Sequence, residues 1–281
     1  MRFHVVTLSL LVGLGCGSLH GGNNADAPAA SDASSDAIGD AGPRDGSVDA
    51  PPRMIEVLQG VDRASAFTTS EAHSLKANNG VQWTGVYIGG ACSAGSGWTK
   101  SLLTTLATAE GWTFMPIWVG QQAPAICGHS TLTAAQGKTD GVATAAMMAS
   151  YDWAPNLDIP VVLDLEADSY TYSASGAKAY AGAWRDAVRS AGYLAYLYSN
   201  PTAINALYDA GIVFDGAWPA SWFYTSFHTT APDDLTQLGT RYTEHDRAWQ
   251  YAGDFAVSGA GTVDGDSSDL LLAPAPGGTN K

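Results

Sequence analysis

Basic residues are scarce in this sequence: 13 Lys and Arg stand against 27 Asp and Glu, a formal net charge of −14 over 281 residues. An acidic surface of that size disfavours both the phosphate backbone of nucleic acid and electrostatic docking to anionic lipid, so neither is expected as a partner. Histidine is thin as well. His73, His129, His228 and His245 are scattered without metal-ligand spacing, so no metal and no cofactor is expected. The chain has no Walker phosphate loop, no G-x-G-x-x-G after its first expected strand and no G-x-S-x-G, because Gly95-Ser96-Gly97 has the wrong spacing. Nucleotide binding and serine-nucleophile chemistry are therefore not indicated. Long apolar runs are missing too: Val5 to Leu14 is too short for a membrane span.

Cysteine is limited to three residues, and each has a readable place. Arg2, the apolar run from Val5 and the small residues Gly13-Leu14-Gly15 form an export signal over residues 1–16. Cys16, directly after the apolar run and its small residues, is similar to the lipid-modified cysteine of a bacterial lipoprotein. Gly13 stands where leucine is usual, so ordinary signal-peptidase cleavage is the alternative. Residues 17–53 are Ala, Asp, Gly, Ser and Pro with almost no large apolar side chain. Such a stretch cannot offset its ordering entropy and is expected to be a disordered tether. In an exported protein the remaining pair, Cys92 and Cys127, is expected as a disulfide between loops. The expected location is the cell envelope or the extracellular space, with membrane contact only through the lipid anchor.

What the chain has in quantity is core-forming residues: 46% are hydrophobic, with nine Trp and twelve Tyr. From residue 54 to 281, strand and helix patterns alternate. Expected strands at 57–62, 81–90, 112–120, 159–165, 193–199, 216–222 and 247–253 are separated for the most part by helices whose ends fall at Gly80, Gly111, Gly192 and Gly211. Thr68-Thr69-Ser70-Glu71 contains a capping box, and Pro201 suits the first turn of a helix. Alternation of this kind implies parallel strands with crossover helices. Roughly eight strand candidates point to a single (β/α)8 barrel, with an open doubly wound sheet as the alternative. The stretch between 222 and 247 gives no clear strand.

One stretch stands out chemically. Ile159-Pro160-Val161-Val162-Leu163 reads as a buried strand, and it ends in Asp164-Leu165-Glu166. Alternate side chains of a strand share a face, so Asp164 and Glu166 point one way. Burying two carboxyls together is costly unless a site uses them. In barrels the chemistry sits where strands end. Those ends supply Asp62, Tyr87, Trp118 with Gln121, Tyr198 with Asn200, Trp218 with Trp222, and Trp249 with Tyr251; Asp264 and Asp266 follow in the last loop. Acids, amides and flat aromatics in one mouth suit a carbohydrate: rings stack on sugar C–H faces, and a carboxyl pair can handle the glycosidic oxygen.

The same residues carry a family resemblance. Gly60-Val61-Asp62-Arg63-Ala64-Ser65, Leu163-Asp164-Leu165-Glu166, Tyr198-Ser199-Asn200 and Trp249-Gln250-Tyr251 with Asp264-Gly265-Asp266 resemble the ordered motifs of family 25 glycoside hydrolases, the lysozyme-type muramidases. Tyr87 to Cys92 and Ala183 to Asn200 are more similar to a glycoside-hydrolase-like domain of exported bacterial envelope proteins. The resemblance implies a TIM barrel and a glycosidase acting as a monomer on a cell-envelope or extracellular polysaccharide, with peptidoglycan as the first candidate. It implies Glu166 as general acid, Asp164 as orienting group or base, and Asp62 with Asp264 or Asp266 completing an acidic floor. A non-catalytic glycan-binding protein and a metal-dependent phosphodiesterase are the alternatives.

Overall fold

The computed structural model describes residues 57–91, 93, 96–123, 132–166, 170–171, 173–242 and 246–280. The expected export signal, the lipidation of Cys16, the expected tether and the expected Cys92–Cys127 disulfide fall outside the described residues. Eight strands form a closed barrel in sequence order: β1 Leu58–Asp62, β2 Trp83–Gly90, β3 Thr113–Val119, β4 Pro160–Asp164, β5 Leu194–Ser199, β6 Gly216–Tyr224, β7 Ala248–Val257 and β8 Gly261–Ser268. Helices α1 Thr69–Asn79, α2 Lys100–Glu110, α3 Ala134–Ser150, α4 Ala174–Ser190 and α5 Pro201–Asp209 follow β1 to β5. Local chemistry sets several boundaries. The Thr68 hydroxyl and the Glu71 carboxylate form the capping box of α1, and Gly80 ends that helix at a φ of 69°. Among the described residues no helix is long and apolar enough to cross a membrane.

The expected barrel is present, and its last quarter departs from the expectation. β1 to β7 run parallel, whereas β8 pairs antiparallel with both β7 and β1. The β7–β8 connection is a hairpin, whose turn residues Gly259 and Gly261 have φ of 80° and 78°. The β6–β7 connection holds two short 3-10 turns, Pro232–Asp234 and Thr236–Leu238, and no strand among its described residues. Buried Arg247 pins that connection by donating to the Leu235, Gly239 and Arg241 carbonyls. Asp264 and Asp266 therefore stand on a strand and not in a loop.

Two apolar layers result. The strands' outward faces and the helices enclose the larger core. Inside the barrel, Trp83, Met115, Ile117, Val162, Tyr196, Trp218 and Leu270 pack together. Trp83, Trp218 and Tyr198 form an aromatic column, with edge-on contacts at centroid separations of 5.5 and 5.3 Å. Room for it comes from glycines: a Cβ on Gly60 would lie 2.0 Å from Trp83, and one on Gly85 would crowd Asp62, Ile117 and Trp218. The column fills the lower barrel and stops at the level where the acids begin.

Candidate active site

A narrow recess at the barrel mouth is lined by Asp62, Tyr87, Ile117, Asp164, Tyr198 and Trp218. Each is placed by the period-two alternation of its strand. Gly60 and Asp62 face inward on β1, and across the ladder they lie opposite Asp266 and Asp264 of β8. Because β8 runs backwards, its two acids enter the barrel beside the C-terminal end of β1. Asp164 closes β4 and is buried, and Glu166 follows two residues later, half-buried.

Hydrogen bonds order the cluster. Asp62 accepts from the Tyr87 hydroxyl at 3.0 Å and from the Gln250 amide at 2.9 Å. That amide also donates to Asp264 Oδ2 at 3.3 Å, while the Asp254 N–H reaches Asp264 Oδ1 at 2.6 Å. Asp266 accepts the indole N–H of Trp218 at 3.0 Å on Oδ1. No donor among the described residues reaches Asp266 Oδ2 or Asp164 Oδ1, though both are buried. Gln122, a buried residue absent from the sequence expectations, donates to the Asp164 carbonyl at 2.9 Å and accepts the Glu166 N–H at 3.1 Å. It clamps the backbone that carries the carboxyl pair.

Burial sets the protonation pattern. It raises Asp164 well above the ordinary carboxylate range, and the Glu166 and Asp62 charges push it further. Burial also raises Asp62, against the opposing hydrogen bonds from Gln250 and Tyr87. Asp266 is raised well above its ordinary value by burial and by the Asp62 and Asp264 charges, and its contact with Asp62 raises Asp266 while lowering Asp62. Of the two, Asp266 is therefore the one held further above its ordinary range. Asp264 is pushed up to about 7, by burial first and then by Asp62. Tyr87 and Tyr198 stay neutral donors, because burial and the surrounding acids raise both. Among the described residues no group of three or more His, Cys, Asp or Glu is arranged to hold a metal ion.

The structure brings Asp62, Tyr87, Asp164, Glu166, Tyr198, Trp218, Asp264 and Asp266 to one mouth. Trp222 joins them at the rim, 59% exposed, its indole N–H bonded to Gln250 at 2.8 Å. Five expected residues are not brought there. Trp118 alternates with Ile117 and so faces the helices. Trp249 and Tyr251 flank Gln250 and take the opposite face, where the Trp249 indole donates to the Ser221 carbonyl at 2.9 Å and Tyr251 packs in the outer core. The Asn200 side chain accepts the Ala203 N–H at 2.8 Å as the N-cap of α5. Gln121 likewise turns outward to Asp140 of α3. The residue that strand alternation puts inside β7 is Gln250, between the two aromatics expected there.

The family model of the Rv2525c-like, glycoside hydrolase-like domain matches residues 73–269. No curated protein matches the chain. Among solved structures, an uncharacterized B. stearothermophilus protein is similar at 17% identity and a TM-score of 0.52, over 74% of this chain and 94% of that one. The Mycobacterium tuberculosis Tat-secreted protein Rv2525c, in complex with L-tartrate, is similar at 14% identity and 0.52, over 75% and 94%. The modular autolysin LytC from Streptococcus pneumoniae is similar at 14% identity and 0.50, over 75% of this chain and 46% of that one. Likeness at these identities is a likeness of fold.

Proposed function

The chain belongs to the Rv2525c-like, glycoside hydrolase-like family, and on that premise we propose that it hydrolyses glycosidic bonds in a cell-envelope or extracellular polysaccharide, with peptidoglycan as the first substrate to test. The observation that carries this reading is the carboxyl pair at the end of β4. Asp164 lies in the recess with one buried oxygen that has no donor, and Glu166 stands beside it nearer the solvent. Glu166 is the general acid, giving its proton to the leaving oxygen as the bond to the anomeric carbon breaks. Asp164 accepts a hydrogen bond from the substrate on its open oxygen, orienting an N-acetyl group or the attacking water. Burial, and then the Glu166 charge, raise Asp164 well above the usual carboxylate range, so the two carboxyls of the pair differ in their hold on a proton, the separation that acid catalysis by a carboxyl pair uses. Asp62, oriented by Tyr87 and Gln250, supplies negative charge beneath the developing oxocarbenium ion. Trp222 offers an exposed ring face to a sugar at the rim. An export signal, whether it ends in a lipid-modified Cys16 or in ordinary cleavage, would bring the barrel to such a polymer.

The test is release of reducing ends from purified peptidoglycan and a panel of bacterial polysaccharides, with Glu166→Gln alongside. The wild type is expected to release ends, and Glu166→Gln to lose about 10²–10⁴ of that rate. Equal binding of a glycan by both proteins without release would replace the enzyme with a glycan-binding module.

A further inference from the structure

Gln250 is the most heavily committed side chain of the mouth. Its amide nitrogen donates to Asp62 Oδ2 at 2.9 Å and to Asp264 Oδ2 at 3.3 Å. Its amide oxygen accepts the Tyr198 hydroxyl at 2.9 Å and the Trp222 indole N–H at 2.8 Å. A primary amide has two N–H donors and two lone pairs, and all four are used here. The amide orientation is thereby settled, since a flip would face two carboxylates with an oxygen and two donors with an NH2 group. Trp222 is seated from below as well: a Cβ on Gly253 would come within 2.6 Å of its ring, so only glycine lets the indole lie against β7.

We propose that Gln250 is the positioning residue of this site, joining the rim indole of Trp222 to the floor carboxylate of Asp62 through one fully used amide. A sugar stacked on Trp222 is thus held in register with the acids below, because both are set by the same group. The use of this coupling rests on the glycosidase reading, but its existence does not. Asp62 is faced by Tyr87 from β2, Asp164 from the end of β4, Tyr198 from β5, Asp254 from β7 and Asp264 and Asp266 from β8. Tyr87 and Gln250 donate to it directly. Without Gln250, one Asp62 oxygen loses its donor and the indole loses its anchor.

The experiment reads neither turnover nor an unidentified ligand. The Asp62 carboxyl is titrated by carbon-13 NMR in the wild type, Gln250→Met and Trp222→Phe. Acrylamide quenching then reports on Trp222, the one tryptophan exposed to solvent among the nine, the next most accessible being Trp118 at 8%. Loss of a hydrogen bond to a charged group corresponds to a rise of about one pH unit or more in the Asp62 midpoint of Gln250→Met. Its Trp222 is expected to quench more readily. Trp222→Phe, a change at the exposed rim, is expected to raise the same midpoint by a smaller amount, and it decides the matter should Gln250→Met fail to fold. An Asp62 midpoint that does not move in Trp222→Phe, or quenching unaltered in a folded Gln250→Met, overturns the proposal. A protein that releases no reducing ends yet shows these shifts keeps Gln250 as the coupler and loses only the glycosidase reading.

Discussion

Replacing Asp264 with Asn tests whether this acid cluster is held together against its own titration. Asp264 sits on β8 opposite Asp62 and is pushed up to about 7 from an ordinary 3.8. A folded-state value above the unfolded one means that the native protein binds more protons between those two values. Its contribution is therefore complete below about 3.8 and is lost as pH rises through about 7. At 1.36 kcal/mol per unit the full gap would be worth about 4 kcal/mol. Part of the carboxyl remains in water and its titration is shared with Asp62, so about 2 kcal/mol is the expected loss between about pH 3.8 and about pH 8. Asp264→Asn removes that component. Asn also loses one weak acceptor contact with Gln250, a cost of about 1 kcal/mol at every pH. The pH slope, and not the absolute stability, is the quantity to read. Urea denaturation of both proteins across this range gives it directly. A wild type whose stability does not fall toward alkaline pH, or an Asn variant with the same slope, refutes the argument.

Two further substitutions probe the frame around the site. Gly60→Ala puts a methyl group 2.0 Å from the Trp83 ring in the barrel floor, with expected destabilisation of about 1–3 kcal/mol or more, read by thermal melting; an unchanged melting temperature would show that the aromatic column yields freely. Gln122→Met takes the acceptor from the Glu166 N–H and a donor from the Asp164 carbonyl. It is expected to cost about 1–3 kcal/mol in urea and to lower kcat more than it raises KM, and a pure KM effect would contradict the clamp.

The parts of the fold that obey simple periodicity are legible without a structure. The β4 run with its two acids, the glycine-ended helices and the capping box at Thr68 all follow from spacing and composition. Which residues lie near a strand's end is legible for the same reason. Which face they take is not, because barrel strands are buried on both sides and their apolar pattern is nearly continuous. Trp118, Trp249 and Tyr251 were each one residue away from the inward face, and Ile117 and Gln250 hold the positions instead. Gln250 gave a signal only as the middle of Trp249-Gln250-Tyr251, where the flanking rings draw attention. β8 was hidden by its own composition: GTVDGDSS has acids and glycine where a strand would show apolar residues. Gln122 carries no pattern, since a clamp between two backbone groups of a distant segment exists only after folding.

The antiparallel closure by β8 also has a meaning for how the protein is made. β1 cannot complete its ladder until the hairpin from Ala248 onward has left the ribosome, and Asp62 meets Gln250 across 188 positions of chain. Loop closure over such a distance is slow compared with pairing between neighbouring strands. The acidic mouth is consequently the last thing assembled, after the strands and helices that precede it are already synthesised. A chain truncated or stalled before its final hairpin holds Asp62 with Tyr87 and Asp164 but lacks Gln250, Asp264 and Asp266, so the acidic floor is completed only when the hairpin is made.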